Sequence, residues 1–330
     1  MSENTDSPGW VTDPLYIRLN TGWANPVNLR HYWGQQWNTN AQAERGSRVQ
    51  DSQQITPRIL VATDFSRESE RAFQHALAFA VAKQARLTLL HTGSESRSSV
   101  PWERFPGVRE TLAGWGLLPK DAPRSAVSEI LNIGVAKMAM RDDDPRQGIT
   151  DYLRRHPTDL LVMATEGRTG LTRLFNPSVA ETVSDLTNSH TLMLPKHGRS
   201  FVDPKTGKAE LNRVLCALDV QQDPGPALSY LQQWLPALGG TDMDILVLHS
   251  CDPEVAPDLT PPQTPGQRWR QEARIGEPVE LIVNAAREMQ ADLVVLSTHG
   301  RLGLRARLRG SVADKAMREL HLPLLTIPVL

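Results

Sequence analysis

The chain contains the same sequence pattern twice, and this duplication constrains its fold more than any other feature. The segment 58–64, RILVATD, returns at 213–219 as RVLCALD, and the segment 158–167, TDLLVMATEG, is matched by 291–300, ADLVVLSTHG. Each repeat is far longer than the roughly 20–50-residue unit of a solenoid. We therefore expect two copies of one domain, whose residues can be compared position by position.

Strand and helix patterns alternate through both copies. The run 59–62 predicts a strand buried on both faces, and Ser66 is a candidate N-cap for the helix that follows. Such alternation predicts a doubly wound parallel sheet in each copy. The predicted strands are 59–62, 87–91, 134–140, 160–164 and 191–194, then 214–218, 245–249, 272–275, 293–296 and 324–327. Helices are predicted near 66–83, 108–115, 125–131, 148–155 and 179–186, then 226–238, 278–289 and 312–320.

The second copy is shorter than the first between its second and third strands. Its segment 252–266 holds five prolines, which exclude a regular helix, so we expect a loop in place of a crossover helix. The last strand of each copy is flanked or interrupted by proline, at Pro195, Pro323 and Pro328. These are therefore predicted edge strands, which another sheet edge would protect by pairing with them.

The repeats divide the chain into four parts. We predict an N-terminal arm at 1–56, a first domain at 57–196, a linker at 197–210 and a second domain at 211–330. Four of the eight tryptophans lie in the arm, although mobile tails are usually poor in aromatic residues. The arm is thus either mobile or packed through its tryptophans onto this subunit or a neighbouring one.

Composition excludes several classes of function. Lys and Arg total 36 against 37 acidic residues, for a net charge of -1, which gives no reason to expect a nucleic-acid partner. No apolar stretch approaches the roughly 20 residues of a membrane span, and the polar start does not resemble a signal peptide. Cys216 and Cys251 offer no disulfide framework. We expect a cytoplasmic protein with no membrane partner.

Small and acidic residues converge after the strands of each copy. Asp64 and Asp219 follow the first strands, while the segments 164–167 and 297–300 follow the fourth. In both copies, nine residues separate the latter segment from the start of the next helix, which is Pro177-Ser178 or Gly310-Ser311. Ligands of doubly wound sheets bind at the carboxyl ends of the strands, and helix N-termini attract phosphate. The pattern therefore outlines a mononucleotide site.

This pattern resembles the universal stress protein family, whose nucleotide-binding members carry Gly-x-x-Gly, nine residues, then Gly and Ser or Thr. The resemblance covers both repeats and points to the tandem type. It implies two Rossmann-like, adenine nucleotide alpha hydrolase-like sheets of order 3-2-1-4-5, which pair within the chain about a pseudo-two-fold axis. The implied ligand is ATP or another adenine nucleotide, with or without Mg.

The two copies depart from the family motif to different degrees. Pro177 lacks the N–H that glycine would offer, and Glu166 adds a negative charge where phosphates would lie. We therefore expect a degenerate first site, composed of Ala62, Asp64, Ala164, Gly167 and Ser178. In the second copy four arginines between Gly300 and Gly310 are available to neutralise phosphates. The resemblance implies that its nucleotide site comprises Ala217, Asp219, Leu296, Ser297, His299, Gly300, Gly310, Ser311 and Val312.

Structural roles remain alternatives for each of these residues. Asp219 is also typical of a turn, Ser311 of a helix N-cap, and the recurring His91 and His249 of packed structural histidines. We expect an adenine-nucleotide-binding stress-response protein, with no catalytic centre and no metal site. The alternatives are a nucleotide-free interaction module, with no cofactor and unknown protein partners, and, less favoured, a slow ATPase. The arm is compatible with a homodimer.

Overall fold

The computed structural model describes residues 56–94, 100–164, 189–196, 198–260, 264–299 and 312–329. The predicted helix at 179–186 and all but the last residue of the predicted arm lie outside these ranges. Among them the strands are β1 Arg58–Ala62, β2 Arg86–Gly93, β3 Gly134–Arg141, β4 Leu160–Ala164, β5 Thr191–Leu194, β6 Leu211–Ala217, β7 Gly239–Ser250, β8 Gln267–Arg274, β9 Leu293–His299 and β10 Leu324–Val329. The helices are α1 Arg67–Lys83, α2 Val108–Gly114, α3 Ala126–Leu131, α4 Pro145–Arg155, α5 Gly225–Trp234, α6 Pro278–Glu288 and α7 Val312–Leu320.

All ten of these strands form one sheet, in the order β3-β2-β1-β4-β5-β10-β9-β6-β7-β8. Neighbouring strands are parallel within each repeat. The last strands of the two repeats, β5 and β10, are antiparallel, with Leu324 opposite Met193 and Thr326 opposite Thr191. The two 3-2-1-4-5 sheets are thus joined edge to edge, which confirms the predicted fold and the predicted pairing of the last strands.

Helices cover both faces of the sheet, and each face has one apolar core that extends through both repeats. The core on one face includes residues of α1, α2, α3 and α5, whereas the other includes residues of α4, α6 and α7. Across the repeat boundary, Phe79 of α1 lies 5.9 Å from Trp234 of α5, measured between ring centroids. Tyr230 of α5 stacks on His190 at 3.8 Å, just before β5. The repeats therefore share packing as well as a sheet edge.

Local signals set the ends of the elements. Ser66 caps α1 by accepting a hydrogen bond from the Ser69 amide, as predicted. Helix α4 begins three residues earlier than predicted, because Asp144 caps it and Pro145 occupies its first turn. Between β7 and β8 the described residues contain only a three-residue 3₁₀ helix, Pro253–Val255, where the first repeat has α2 and α3. This agrees with the predicted loss of a crossover helix.

The predicted linker packs closely against the first repeat. Val202 and Ala209 form an antiparallel bridge that closes a short hairpin, and Phe201, Val202 and Ala209 are buried. Gly207 has φ +69°, and a Cβ there would lie 2.3 Å from the Trp115 ring. Glycine is therefore required at this position both by the backbone conformation and by the close approach. We call residues 198–210 the strap.

One arginine and one histidine of α1 hold the beginning of the strap. The Arg71 guanidinium donates to the carbonyl oxygens of Pro195, Lys196, Gly198 and Arg199 at 2.7–3.3 Å. One turn later His75 is buried, with its Nδ1 2.8 Å from the Arg71 carbonyl oxygen and its Nε2 3.3 Å from the Ser200 hydroxyl. These bonds satisfy carbonyl groups that would otherwise be unpaired where the chain leaves β5.

Among the described residues, no helix is both long enough and apolar enough to cross a membrane.

Replacing Arg71 by Ala should destabilise the protein by about 2–3 kcal/mol, because four carbonyl groups between Pro195 and Arg199 would lose a charged donor. Chemical denaturation followed by circular dichroism measures this change. Arg67→Ala is the matched control, since Arg67 is exposed at the start of the same helix. An Arg71 variant as stable as the Arg67 variant would contradict the role assigned to Arg71.

Stability should fall as the pH falls from 6.5 toward 4. Burial lowers the pKa of His75 from 6.5 to about 4, so in this interval the unfolded chain binds a proton that the folded chain does not. Each pH unit below 6.5 should therefore cost about 1.4 kcal/mol from this residue. Denaturation of wild type and His75→Asn at pH 7.0 and 5.0 measures the effect. The variant should show the smaller loss, and equal losses would exclude His75 as a source.

Candidate functional site

The carboxyl ends of the strands lie at opposite edges of the sheet in the two repeats. This follows from the antiparallel contact of β5 with β10, because all strands of the second repeat run against those of the first. The carboxyl ends of β1 and β4 therefore lie on the opposite side of the sheet from the carboxyl ends of β6 and β9. Each repeat has its own candidate site, and the two sites do not combine.

In the first repeat, the aspartate after β1 serves the start of α1. The Asp64 carboxylate accepts hydrogen bonds from the Ser66 amide at 3.0 Å and from the hydroxyls of Ser66 and Ser69. The Asp64 amide in turn donates to the Ser69 hydroxyl at 3.2 Å. Both serines are fully buried. The carboxylate is therefore engaged in ordering a helix N-terminus.

Aromatic side chains pack beside this aspartate at the same edge. Phe65 has φ +62°, in the left-handed region that residues other than glycine rarely adopt. Its ring lies 4.6 Å from His91, 5.2 Å from Trp102 and 5.7 Å from Phe105, between centroids. The backbone strain at Phe65 is thus offset by aromatic packing. This cluster lies above the ends of β1 and β2.

In the second repeat, the equivalent aspartate is tied to the neighbouring strand. The Asp219 amide donates to the Ser297 hydroxyl at 3.2 Å, which joins the end of β6 to the end of β9. Its carboxylate accepts from the Gln221 amide at 2.9 Å. Helix α5 begins only at Gly225, so this loop is longer than the one before α1. Two residues of the predicted second site, Asp219 and Ser297, are therefore in direct contact.

A histidine holds the turn before the aspartate in both repeats. His91 Nδ1 lies 2.8 Å from the Thr63 carbonyl oxygen, and His249 Nδ1 lies 3.1 Å from the Leu218 carbonyl oxygen. Burial lowers the pKa of His249, against the opposing effect of its bond to Leu218. The His249 ring is therefore neutral at pH 7, with its proton on Nδ1 and an acceptor lone pair on Nε2. The structural role considered for these histidines fits both positions.

Three buried polar groups around the second site lack hydrogen-bond partners within the described part of the chain. They are His249 Nε2 at the end of β7, Thr298 Oγ1 near the end of β9, and the side-chain amide of Gln222 after β6. Buried polar groups are normally paired, and an unpaired one costs about 1–3 kcal/mol. These groups match the hydrogen-bonding needs of a polar ligand. The site predicted from the sequence does not include these groups, and only the histidine, which recurs in both copies, has a sequence signal.

The other predicted residues fall into two groups. Ala62, Ala164 and Leu296 are buried, Ala217 is partly buried, and Val312 is exposed at the first position of α7. The backbone of His299 ends β9 opposite Val329. Gly167, Ser178, Gly300, Gly310 and Ser311, together with Glu166, Pro177 and the four arginines, lie outside the described residues.

Within the described ranges, no cluster of three or more His, Cys, Asp or Glu side chains has an arrangement that could hold a metal ion.

The comparisons with known proteins agree with this fold. A curated universal stress protein from Methanocaldococcus jannaschii is 40% identical over 52 residues, which are 16% of this chain and 31% of that protein. The chain thus matches less than a third of that relative's length. The crystal structure of a universal stress protein from Archaeoglobus fulgidus covers 82% of this chain and 96% of its own, with a TM-score of 0.52 and 16% identity. This second likeness supports the fold alone.

The model of the universal stress protein family matches two segments, residues 56–195 and 254–328. Together they are more than half of the chain, and they fall in the two repeats. The chain belongs to the universal stress protein family.

Proposed function

We propose that the second repeat binds an adenine nucleotide, and that the first repeat is its structural partner without a ligand of its own. The observation that carries this proposal is the different use of two equivalent aspartates. Asp64 accepts three hydrogen bonds at the start of α1, whereas Asp219 lies in a longer loop beside Ser297. Family membership favours a role in a stress response.

The polar groups of the second repeat suit the adenosine part of a nucleotide. The Asp219 carboxylate is an acceptor for a ribose hydroxyl, and neutral His249 offers Nε2 as an acceptor for a hydroxyl or an amino group. Thr298 and Gln222 add a hydroxyl and an amide that both donate and accept.

The phosphates would lie near the start of α7. The motif residues Gly310 and Ser311 immediately precede Val312, the first residue of this helix. N–H groups at a helix N-terminus, together with the arginines of 301–309, would neutralise the phosphate charge. In the first repeat Pro177 offers no N–H at the corresponding position.

Replacing each aspartate by alanine should affect a different property of the protein. Asp219→Ala should weaken ATP binding at least about tenfold, since it removes a charged acceptor. Asp64→Ala should leave the affinity unchanged but destabilise the fold by about 1–2 kcal/mol, through loss of the α1 capping network. Calorimetric titration and chemical denaturation of both variants measure these changes. Weakened binding in Asp64→Ala alone would move the site to the first repeat.

The motif positions allow a second matched pair of substitutions. Gly310→Pro should abolish ATP binding, because it removes an N–H at the phosphate position of the second repeat. The reciprocal change, Pro177→Gly, should leave the affinity of the second site unaltered. The melting temperature of each variant with ATP, ADP and AMP measures both effects, because a ligand that binds the native state raises this temperature. A folded Gly310→Pro protein that still binds ATP would refute the proposed phosphate position.

A further inference from the structure

Exposed apolar side chains are concentrated at one edge of the sheet. Five large hydrophobic residues are exposed within the described ranges, and four of them follow strands of the second repeat. We call these four the apolar rim: Val220 at 36%, Val255 at 68%, Ile275 at 74% and Val312 at 38% exposure. The fifth, Ile130, is 48% exposed on α3 of the first repeat.

The rim residues occupy neighbouring positions along the sheet. Val312 follows β9, Val220 follows β6, Val255 follows β7 and Ile275 directly follows β8. These strands are adjacent in the order β9-β6-β7-β8. At about 4.8 Å between strands, the rim extends over roughly 15 Å. Apolar side chains grouped in this way are typical of a surface that another segment covers.

The N-terminal part of the chain joins the sheet on this same side. Thr56 and Pro57 directly precede β1, so the 55 residues before them join the sheet at the amino end of β1. Because β5 and β10 are antiparallel, the amino ends of the first repeat's strands and the carboxyl ends of the second repeat's strands lie on the same side of the sheet. The N-terminal segment need not cross a face of the sheet to meet the rim.

The distance is short for a chain of this length. Five strand spacings separate β1 from β6, or roughly 24 Å along the edge. Trp37 and Thr56 are 19 positions apart in the sequence, and a chain of that length reaches up to about 63 Å. Trp10, Trp23, Trp33 and Trp37 can therefore all meet the rim.

We propose that residues 1–55 dock on the apolar rim through their tryptophans. The segment carries half of the tryptophans in the chain, and their rings need apolar partners. The rim supplies such partners on the side of the sheet where this segment joins β1. The apolar rim thus belongs to an intramolecular contact beside the polar groups at the carboxyl ends of the second repeat's strands.

A native thiol reports on this contact. Cys251 follows the last residue of β7 at the rim and is partly exposed. Cys216 lies inside β6, fully buried, and burial raises its pKa, so it serves as an unreactive internal standard. Labelling of the full chain with a maleimide, in the absence of nucleotide, is followed at each cysteine by mass spectrometry. Replacing Trp33 and Trp37 by Ser should accelerate labelling of Cys251 about tenfold, by freeing the edge.

Substitutions on the rim test whether it is the docking surface. The dependence of the labelling rate on protein concentration distinguishes a contact within one chain from a contact between two chains. Ile275→Asp should accelerate the labelling of Cys251 as the tryptophan substitutions do, whereas Ile130→Asp, on the exposed residue of α3, should not. The rates should be independent of protein concentration. Unchanged labelling after the tryptophan substitutions would overturn the proposal. Labelling that is slow only at high protein concentration would also overturn it, by assigning the rim to a second copy of the chain.

Discussion

The antiparallel contact between β5 and β10 determines the arrangement of everything else in this protein. Only three residue pairs form it, yet it turns two equivalent half-sheets into one sheet and reverses the direction of the second. Each last strand would otherwise be an unpaired edge strand of its own repeat. Their pairing therefore satisfies the backbone groups of both strands at once. Helices α1 and α5 then meet across the boundary, where Lys83 donates to the Gln233 carbonyl oxygen. The strap, which packs against the first repeat, further stabilises this boundary.

This arrangement allows the copies to diverge without loss of the fold. With the two carboxyl edges on opposite sides, changes around Asp64 do not reach Asp219. In the first repeat, serines and aromatic rings occupy the edge and stabilise α1. In the second, polar groups remain unpaired and apolar groups remain exposed among the described residues. One copy therefore suits a structural role and the other suits ligand binding.

Much of the architecture could be predicted from the sequence, because both repeats carry the same pattern of strands and helices. Buried parallel strands give continuous apolar runs, and prolines identify the edge strands. Less was predictable where tertiary contacts decide the outcome. The sequence predicts only a linker at 197–210, whereas in the structure Gly198 and Gly207 allow close approach to His321 and to Trp115. Helix α4 begins at Pro145 and not at 148, because the Asp144 cap and a proline in the first turn extend it beyond its apolar positions.

The candidate site was predictable in position but not in detail. Asp219 and Ser297 were expected at the same edge, and they are in contact. Their hydrogen bond has no sequence signature, since Ser297 stands where the family motif has glycine. Gln222 and Thr298 could not be identified either, because burial without a partner depends on packing around them.

We propose that this chain of two repeats keeps one nucleotide site. The most direct test counts ligands, by native mass spectrometry or equilibrium dialysis of the full chain at saturating ATP. One nucleotide for each chain is the predicted result. Two nucleotides for each chain, or none at all, would exclude a single site in the second repeat.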